Sequence, residues 1–248
     1  MKRIKVYDLP LRIFHLFFAL AMLAAFIIAK TIDDDSHIFI YHMIAGLTVG
    51  FLLLLRIIWG ITGTKYSRFS SFKLGPNGLM VYLKDVMFTH AKRYPGHNPA
   101  ASYAAVIMFL SSAGLIISGI IMTGGRDSDF FEEVHELLAN TFIIAVIAHL
   151  AGVVLHQIRH RDSIWLTMLD GKKELTHESQ GIGSIKPVTG ILFFLLTFLW
   201  ISFLITGYDR NTQTIDLIGY ELNLGDAEHT SGSTDENDDE KEEEDDDH

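Results

Sequence analysis

Three histidines punctuate one apolar stretch, VHELLANTFIIAVIAHLAGVVLH: His135, His149 and His156. Ionisable side chains are costly inside an apolar segment and point by default to a site. His135 and His149 are fourteen residues apart. On a helix that spacing returns both to within ~40° of one face and separates them by ~21 Å along the axis. This is about two thirds of the ~30 Å hydrocarbon thickness of a bilayer. One helix would thus offer an imidazole near each membrane surface, both pointing the same way, as two stacked haems require.

The rest of the chain supplies partners. Of twelve histidines, His15, His42, His135, His149 and His156 fall within or at the ends of apolar runs. His37, His90, His97, His160, His177, His229 and His248 fall in loops, interfaces or tail and read as surface residues. The chain has no cysteine. That excludes disulfides, iron–sulfur clusters, thiolate haem ligation and covalent haem attachment, leaving histidine or methionine to hold a haem.

The 248 residues are 49% hydrophobic with 17 Phe and a mean hydropathy of +0.26, so the relevant solvent is lipid. The formal charge of −10 is unevenly placed. Residues 207–248 hold sixteen Asp/Glu against two Lys/Arg, whereas residues 1–206 are net +4. No cleavable signal is expected at the N-terminus, and no nucleic-acid partner.

Five membrane helices are predicted, at roughly 10–29, 38–59, 102–122, 135–157 and 188–206. The expected fold is an all-α integral membrane protein, a four-helix haem-binding bundle plus a fifth C-terminal span. Gly114 and Gly119 suit close helix approach in the third span. LGPNGLMVYLKDVMF, between the second and third, suggests a short amphipathic helix at the membrane interface. The tail from about 226 is low-complexity and acidic and should be disordered. Such a run is commonly only solvated; the sharper reading is steering of a basic partner.

Lysine and arginine crowd the N-terminus, the 60–101 connection and the segment after the fourth span, while TIDDDSH and GGRDSDFFEE are short and acidic. By the positive-inside rule the N-terminus is cytoplasmic and the C-terminal tail periplasmic, in a bacterial inner membrane. Depth then sorts the histidines into an outer pair, His42 with His135, and an inner pair, His15 with His149. His156, seven residues beyond His149, could replace it, though the register and deeper burial favour His149. Its alternative place is the cytoplasmic edge, near quinone head groups or a propionate. A lone membrane histidine is often a packing residue; two depth-matched pairs are harder to explain so.

Gly46 and Gly152 share faces with His42 and His149 and would let a flat macrocycle approach, although membrane glycines also serve helix packing. Arg12 and Arg56, near the inner surface, would commonly snorkel to the interface. The functional alternative is pairing with haem propionates.

YDLPLRIFH, YHMIAGLTVGFLLLLRIIWGITGTKYSRFSSF, RYPGHNPA, EEVHELLAN and HLAGVVLHQIRHRDSIWLTMLDGKK, in that order, resemble the bacterial dihaem cytochrome b family. That family includes cytochrome b561 and the membrane cytochrome b subunits of nickel–iron hydrogenases; a formate dehydrogenase subunit has a related arrangement. The resemblance covers about residues 5–175. It implies a four-helix core, two haem b groups ligated by His15, His42, His135 and His149, and electron exchange with the quinone pool of a respiratory chain. The expected divisions are a dihaem domain at 1–175, a linker and fifth helix at 176–206, and an acidic, largely disordered tail at 207–248. The last two lie outside the family core.

The expected function is electron transfer between a periplasmic partner, hydrogenase or c-type cytochrome-like, and membrane quinone, as a subunit rather than a stand-alone enzyme. The alternative is a self-contained quinone-linked oxidoreductase of the cytochrome b561 type for a small external substrate. A third class, a metal or proton transporter with histidines along one path, predicts a colourless protein.

Overall fold

The computed structural model describes residues 2–34, 36–88, 93–124, 128–175, 180–217 and 219–224. Seven helices occur among them: α1 (Leu9–Thr31), α2 (Ile40–Thr62), α3 (Pro76–Phe88), α4 (Pro99–Met122), α5 (Ser128–His160), α6 (Thr167–Asp170) and α7 (Pro187–Gly207). α1, α2, α4, α5 and α7 are long and apolar enough to cross a membrane. The chain is a multi-pass, all-α membrane protein.

Helix ends follow from local chemistry. Asp8 caps α1 by accepting from Leu11 N–H at 3.1 Å, with Pro10 in the first turn. Asn98 caps α4 by accepting from Ala101 N–H at 2.8 Å, ahead of Pro99. α5 begins seven residues earlier than its apolar run. Its first two turns, SDFFEEV, are polar and continue the helix beyond the hydrocarbon-length segment.

The spans pack as α1 on α2, α4 on α5, with α2 against α4 and α7 against α1 and α2. Gly114 admits α5 closely: a Cβ there would stand 2.6 Å from Leu138 Cδ1. α5 packs closely on no other span than α4. Toward α1 and α2 it makes ring contacts without close packing, Phe142 to Phe18 at 6.1 Å and His135 to His42 at 6.2 Å, which leaves a slot between these helices.

Two small sheets mark opposite ends of the bundle. At one end β1 (Lys2–Lys5) pairs antiparallel with β2 (Lys172–Leu175), Lys2 opposite Leu175. Val6 and Tyr7 N–H groups add bonds to the Gly171 carbonyl, Arg3 meets Asp170 at 2.6 Å, and Arg12 Nε donates to the Met168 carbonyl at 3.2 Å. Val6, Tyr7, Leu11, Tyr66 and Leu175 form the core beneath this ribbon. Asp8, wholly buried, accepts from Trp59 Nε1 at 3.1 Å, Thr64 Oγ1 at 2.6 Å and Ser67 Oγ at 2.8 Å, tying α1 to the end of α2. α3 lies at this end, burying Tyr82 and Val86 while Met80, Val81, Met87 and Phe88 stay exposed, as an interfacial helix does.

At the other end β3 (Tyr208–Asp209), β4 (Thr214–Leu217) and β5 (Tyr220–Asn223) form an antiparallel meander. Ile215 and Leu224 pack against Ile40, Ile44 and Leu204. The segment expected at 207–248 to be acidic and largely disordered thus begins with an ordered meander in the described part of 208–224. Apolar residues alternate into a core there, and the acidic run that dominates the composition starts later. Residues 225–248 lie outside the described residues.

Candidate haem sites in the membrane slot

The slot is lined by the histidines singled out from the sequence. His42 lies in the first turn of α2 and His135 in the third turn of α5, both at the meander end, because the two helices run the same way. Their imidazole centroids are 6.2 Å apart with planes inclined at 61°. Metal–imidazole bonds of about 2 Å put the centroids of two imidazoles on opposite sides of one metal at ~6 Å. The spacing fits an iron between the rings.

The ring nitrogens agree. His42 Nδ1 lies 2.9 Å from the Ala25 carbonyl, which can only accept, so Nδ1 carries the proton. His135 Nδ1 lies 2.9 Å from Ser118 Oγ. That hydroxyl has one proton, which it gives to the Gly114 carbonyl at 2.9 Å, and so it accepts from His135. Both rings thereby hold Nδ1–H and keep the Nε2 lone pair free. Tying back the distal N–H of a ligating histidine is a general device for fixing its orientation.

At the ribbon end His15 of α1 and His149 of α5 stand within electrostatic reach of one another. The rings of Phe18 and Phe142, one turn deeper on α1 and two on α5, bridge the same helices at 6.1 Å. A Cβ at Gly46 or Gly152 would meet no atom within 4 Å. The faces beside His42 and His149 therefore open onto free space that a flat ring can enter. Among the described residues no group of three His, Cys, Asp or Glu donors converges. His42 and His135 meet as a pair and His15 and His149 lie within electrostatic reach, an arrangement that suits a metal already held in a macrocycle better than a bare ion.

The arginines divide. Arg12 Nε donates to the Met168 carbonyl in the ribbon-end turn. Arg56 does not snorkel: it is 5% exposed, its guanidinium lies over Phe69 at 4.5 Å and Phe14 at 5.9 Å, and its buried Nη1 has no hydrogen-bond partner. His156 is also buried, at 7% exposure, rather than on an open edge. Its ring packs on His160 at 4.3 Å, and its Nε2 lies 3.4 Å from Asp162 Oδ2. Arg93 Nη1 donates to the same Asp162 oxygen at 2.9 Å. His156 thus belongs to a charged knot that joins the end of α5 to the 60–101 connection. Lys173 is buried in the same knot and donates to Gly96 at 3.4 Å. Burial holds its ammonium pKa down at about 8; Asp162 pulls it back up and Arg93 adds to the depression.

His97, expected on the surface, packs inward. Its ring lies 4.9 Å from Phe72 and 5.8 Å from Tyr7, and its Nδ1 is sealed from solvent without a partner. Burial first, then Arg56, Lys173, His149 and His15, holds its pKa near 3, so the ring is neutral. His90 and His177 lie outside the described residues. The signal for His97 was present in RYPGHNPA, whose Pro95, Gly96 and Pro99 turn the chain back under the bundle, but loop composition hid it. Ser118 was hidden too, since serine is common in membrane helices.

Apolar spans with histidines paired across a slot, their outer rings set in one tautomer, define a membrane protein of the b-type cytochrome class. The family model for prokaryotic cytochrome b561 matches residues 6–171, and the chain belongs to that family. Haem b and membrane electron transfer come with membership. Among curated relatives, the "probable Ni/Fe-hydrogenase B-type cytochrome subunit" of Cupriavidus necator is 27% identical over 214 residues, covering 69% of this chain and 87% of the relative. The "probable Ni/Fe-hydrogenase 1 B-type cytochrome subunit" of Escherichia coli K12 is 27% identical over 210 residues, covering 67% and 88%. No solved structure gives a significant match.

Proposed function

We propose that this chain is a dihaem b-type cytochrome that moves electrons across a bacterial inner membrane between a periplasmic redox partner and the quinone pool. The observation that carries it is the facing of His42 and His135 at 6.2 Å with each Nδ1 already engaged. His42 and His135 hold the outer group, and His15 and His149 the inner one. Haem b, when bound, supplies reversible one-electron chemistry. The chain's own residues fix each imidazole, keep Gly46 and Gly152 clear of the ring plane, and exclude water with apolar walls. Haem iron held by an imidazole on each side would supply electron carriage rather than oxygen chemistry.

The ribbon end is the cytoplasmic end, because the Lys/Arg-rich segments gather there; the meander and the acidic tail are periplasmic. Residues 1–175 form the haem-holding unit, and 176–206 add the fifth span. The printed names of the relatives support a nickel–iron hydrogenase as the partner, acting on the meander end. Quinone exchanges at the ribbon end, close to the inner pair.

Purified protein should show a low-spin b-type spectrum with about two haems per chain. His42→Ala or His135→Ala should each halve that content. A colourless preparation, or wild-type stoichiometry in both variants, would sink the reading. In membranes, reduced partner should reduce added quinone only through the haem-loaded chain.

A further inference from the structure

Two buried nitrogens near the inner histidine pair have no hydrogen-bond partner. They are Arg56 Nη1 and His97 Nδ1, both sealed from solvent and both without a hydrogen-bond partner among the described residues. Buried donors left unmade cost about 1–3 kcal/mol each, more when charged, so native proteins seldom keep them without a purpose.

Two touching aromatic rings link them. Phe69 lies under the Arg56 guanidinium at 4.5 Å, and Phe72 meets the His97 ring at 4.9 Å. The two phenylalanines themselves touch at 5.8 Å. Gly60 makes this possible: a Cβ there would lie 2.2 Å from the Phe69 ring, so any other residue would push that ring out from under the arginine. Phe14, the neighbour of His15 in the chain, lies under the same guanidinium at 5.9 Å, and Tyr7, just ahead of α1, meets the His97 ring at 5.8 Å. A fixed positive fork and an imidazole able to present an N–H, held on adjoining aromatic rings near His15, are complementary to a carboxylate.

We infer that Arg56 and His97 form a two-point carboxylate anchor that takes a propionate of the inner haem. The inference rests on the dihaem reading above and adds His97 as a positioning residue. The anchor fixes the macrocycle in the slot from one edge while His15 and His149 fix it along its axis. It also sets the electron affinity of the inner site. A guanidinium beside the propionate favours the reduced state, which carries one more negative charge.

The test is potentiometric titration of full-length protein in detergent, with haem content measured alongside. Arg56→Gln should lower one of the two midpoint potentials and leave the other in place, or should release one haem selectively. His97→Ala should shift the same potential downward. Arg56→Lys, which keeps the charge, and His97→Gln, which keeps a donor, should fall between variant and wild type. If Arg56→Gln yields no folded protein, the His97 variants and Arg56→Lys decide. Both haems retained with both potentials at wild-type values would overturn the inference, as would equal shifts at both haems. With haem dimethyl ester, whose propionates are uncharged, Arg56→Gln should cost much less haem affinity than it does with native haem. An affinity loss that persists in full with the ester assigns the anion to another source, such as a lipid phosphate, and overturns the inference. Failure of the dihaem reading would be distinct: wild-type protein would then show fewer than two potentials.

Discussion

Ser118 of α4 accepts a hydrogen bond from His135 Nδ1 of α5 at 2.9 Å while its own proton goes to the Gly114 carbonyl. Through that contact a helix with no histidine decides the tautomer of one on its neighbour. Ser118→Ala should therefore weaken the outer haem site alone. Losing the partner that orients a ligating histidine typically costs about 10–100-fold in affinity. Losing the bond also makes the imidazole less basic, so the outer potential should rise. Haem titration and potentiometry read both effects; an unchanged outer haem would remove Ser118 from the site.

Gly46 separates packing from cofactor binding. Because a Cβ there meets nothing within 4 Å, Gly46→Ala should leave the haem-free helix unharmed, or steadier by about 0.5–1 kcal/mol. Gly46→Leu should fill the slot and reduce haem content from about two to about one per chain. Retention of both haems in the leucine variant would mean the free space beside His42 is not the haem face.

Asp8 is a structural anchor. Its carboxylate accepts from Trp59, Thr64, Ser67 and the Leu11 amide without exposure to solvent. Asp8→Asn keeps the shape but turns one acceptor into a donor facing other donors. The expected loss is about 2–4 kcal/mol of stability, seen as a lower unfolding temperature in detergent, with the outer haem spectrum unchanged.

Lys173 gives a pH signature. Its folded pKa is lowered by burial from 10.5 to about 8, so between those values the unfolded chain binds more protons than the folded one. Stability should rise with pH across that window, by up to about 1.4 kcal/mol per unit, and the contribution is lost below pH 8. Lys173→Met should flatten the slope in unfolding measurements from pH 8 to 10.5. A slope unchanged in the variant would assign it to other groups.

Much of the architecture was legible in the sequence because lipid imposes long apolar runs, and the five spans differ from expectation by a few residues except at α5. Polar turns ahead of His135 extend that helix beyond what hydropathy can see. The approach of His42 to His135 was legible because alternating helix direction converts chain position into depth. What escaped were contacts made by folding back. His97 reads as a loop residue until Pro95 and Gly96 bring it under the bundle. Arg56 reads as an interfacial cation until Phe14 and Phe69 enclose it. The meander at 208–224 was masked by the acidity of residues 225–248. The alternation that places Ile215 and Leu224 inward was too short to stand out.

The ribbon joins Lys2–Lys5 to Lys172–Leu175 and braces α1 near α5, on which it does not pack closely. This imposes a timetable on biosynthesis. The outer pair needs nothing beyond His135 and its helix, whereas the inner pair is braced only once Leu175 has left the ribosome. Cofactor insertion should proceed from the outer site to the inner one, and a chain truncated before residue 172 should mature with its outer haem alone.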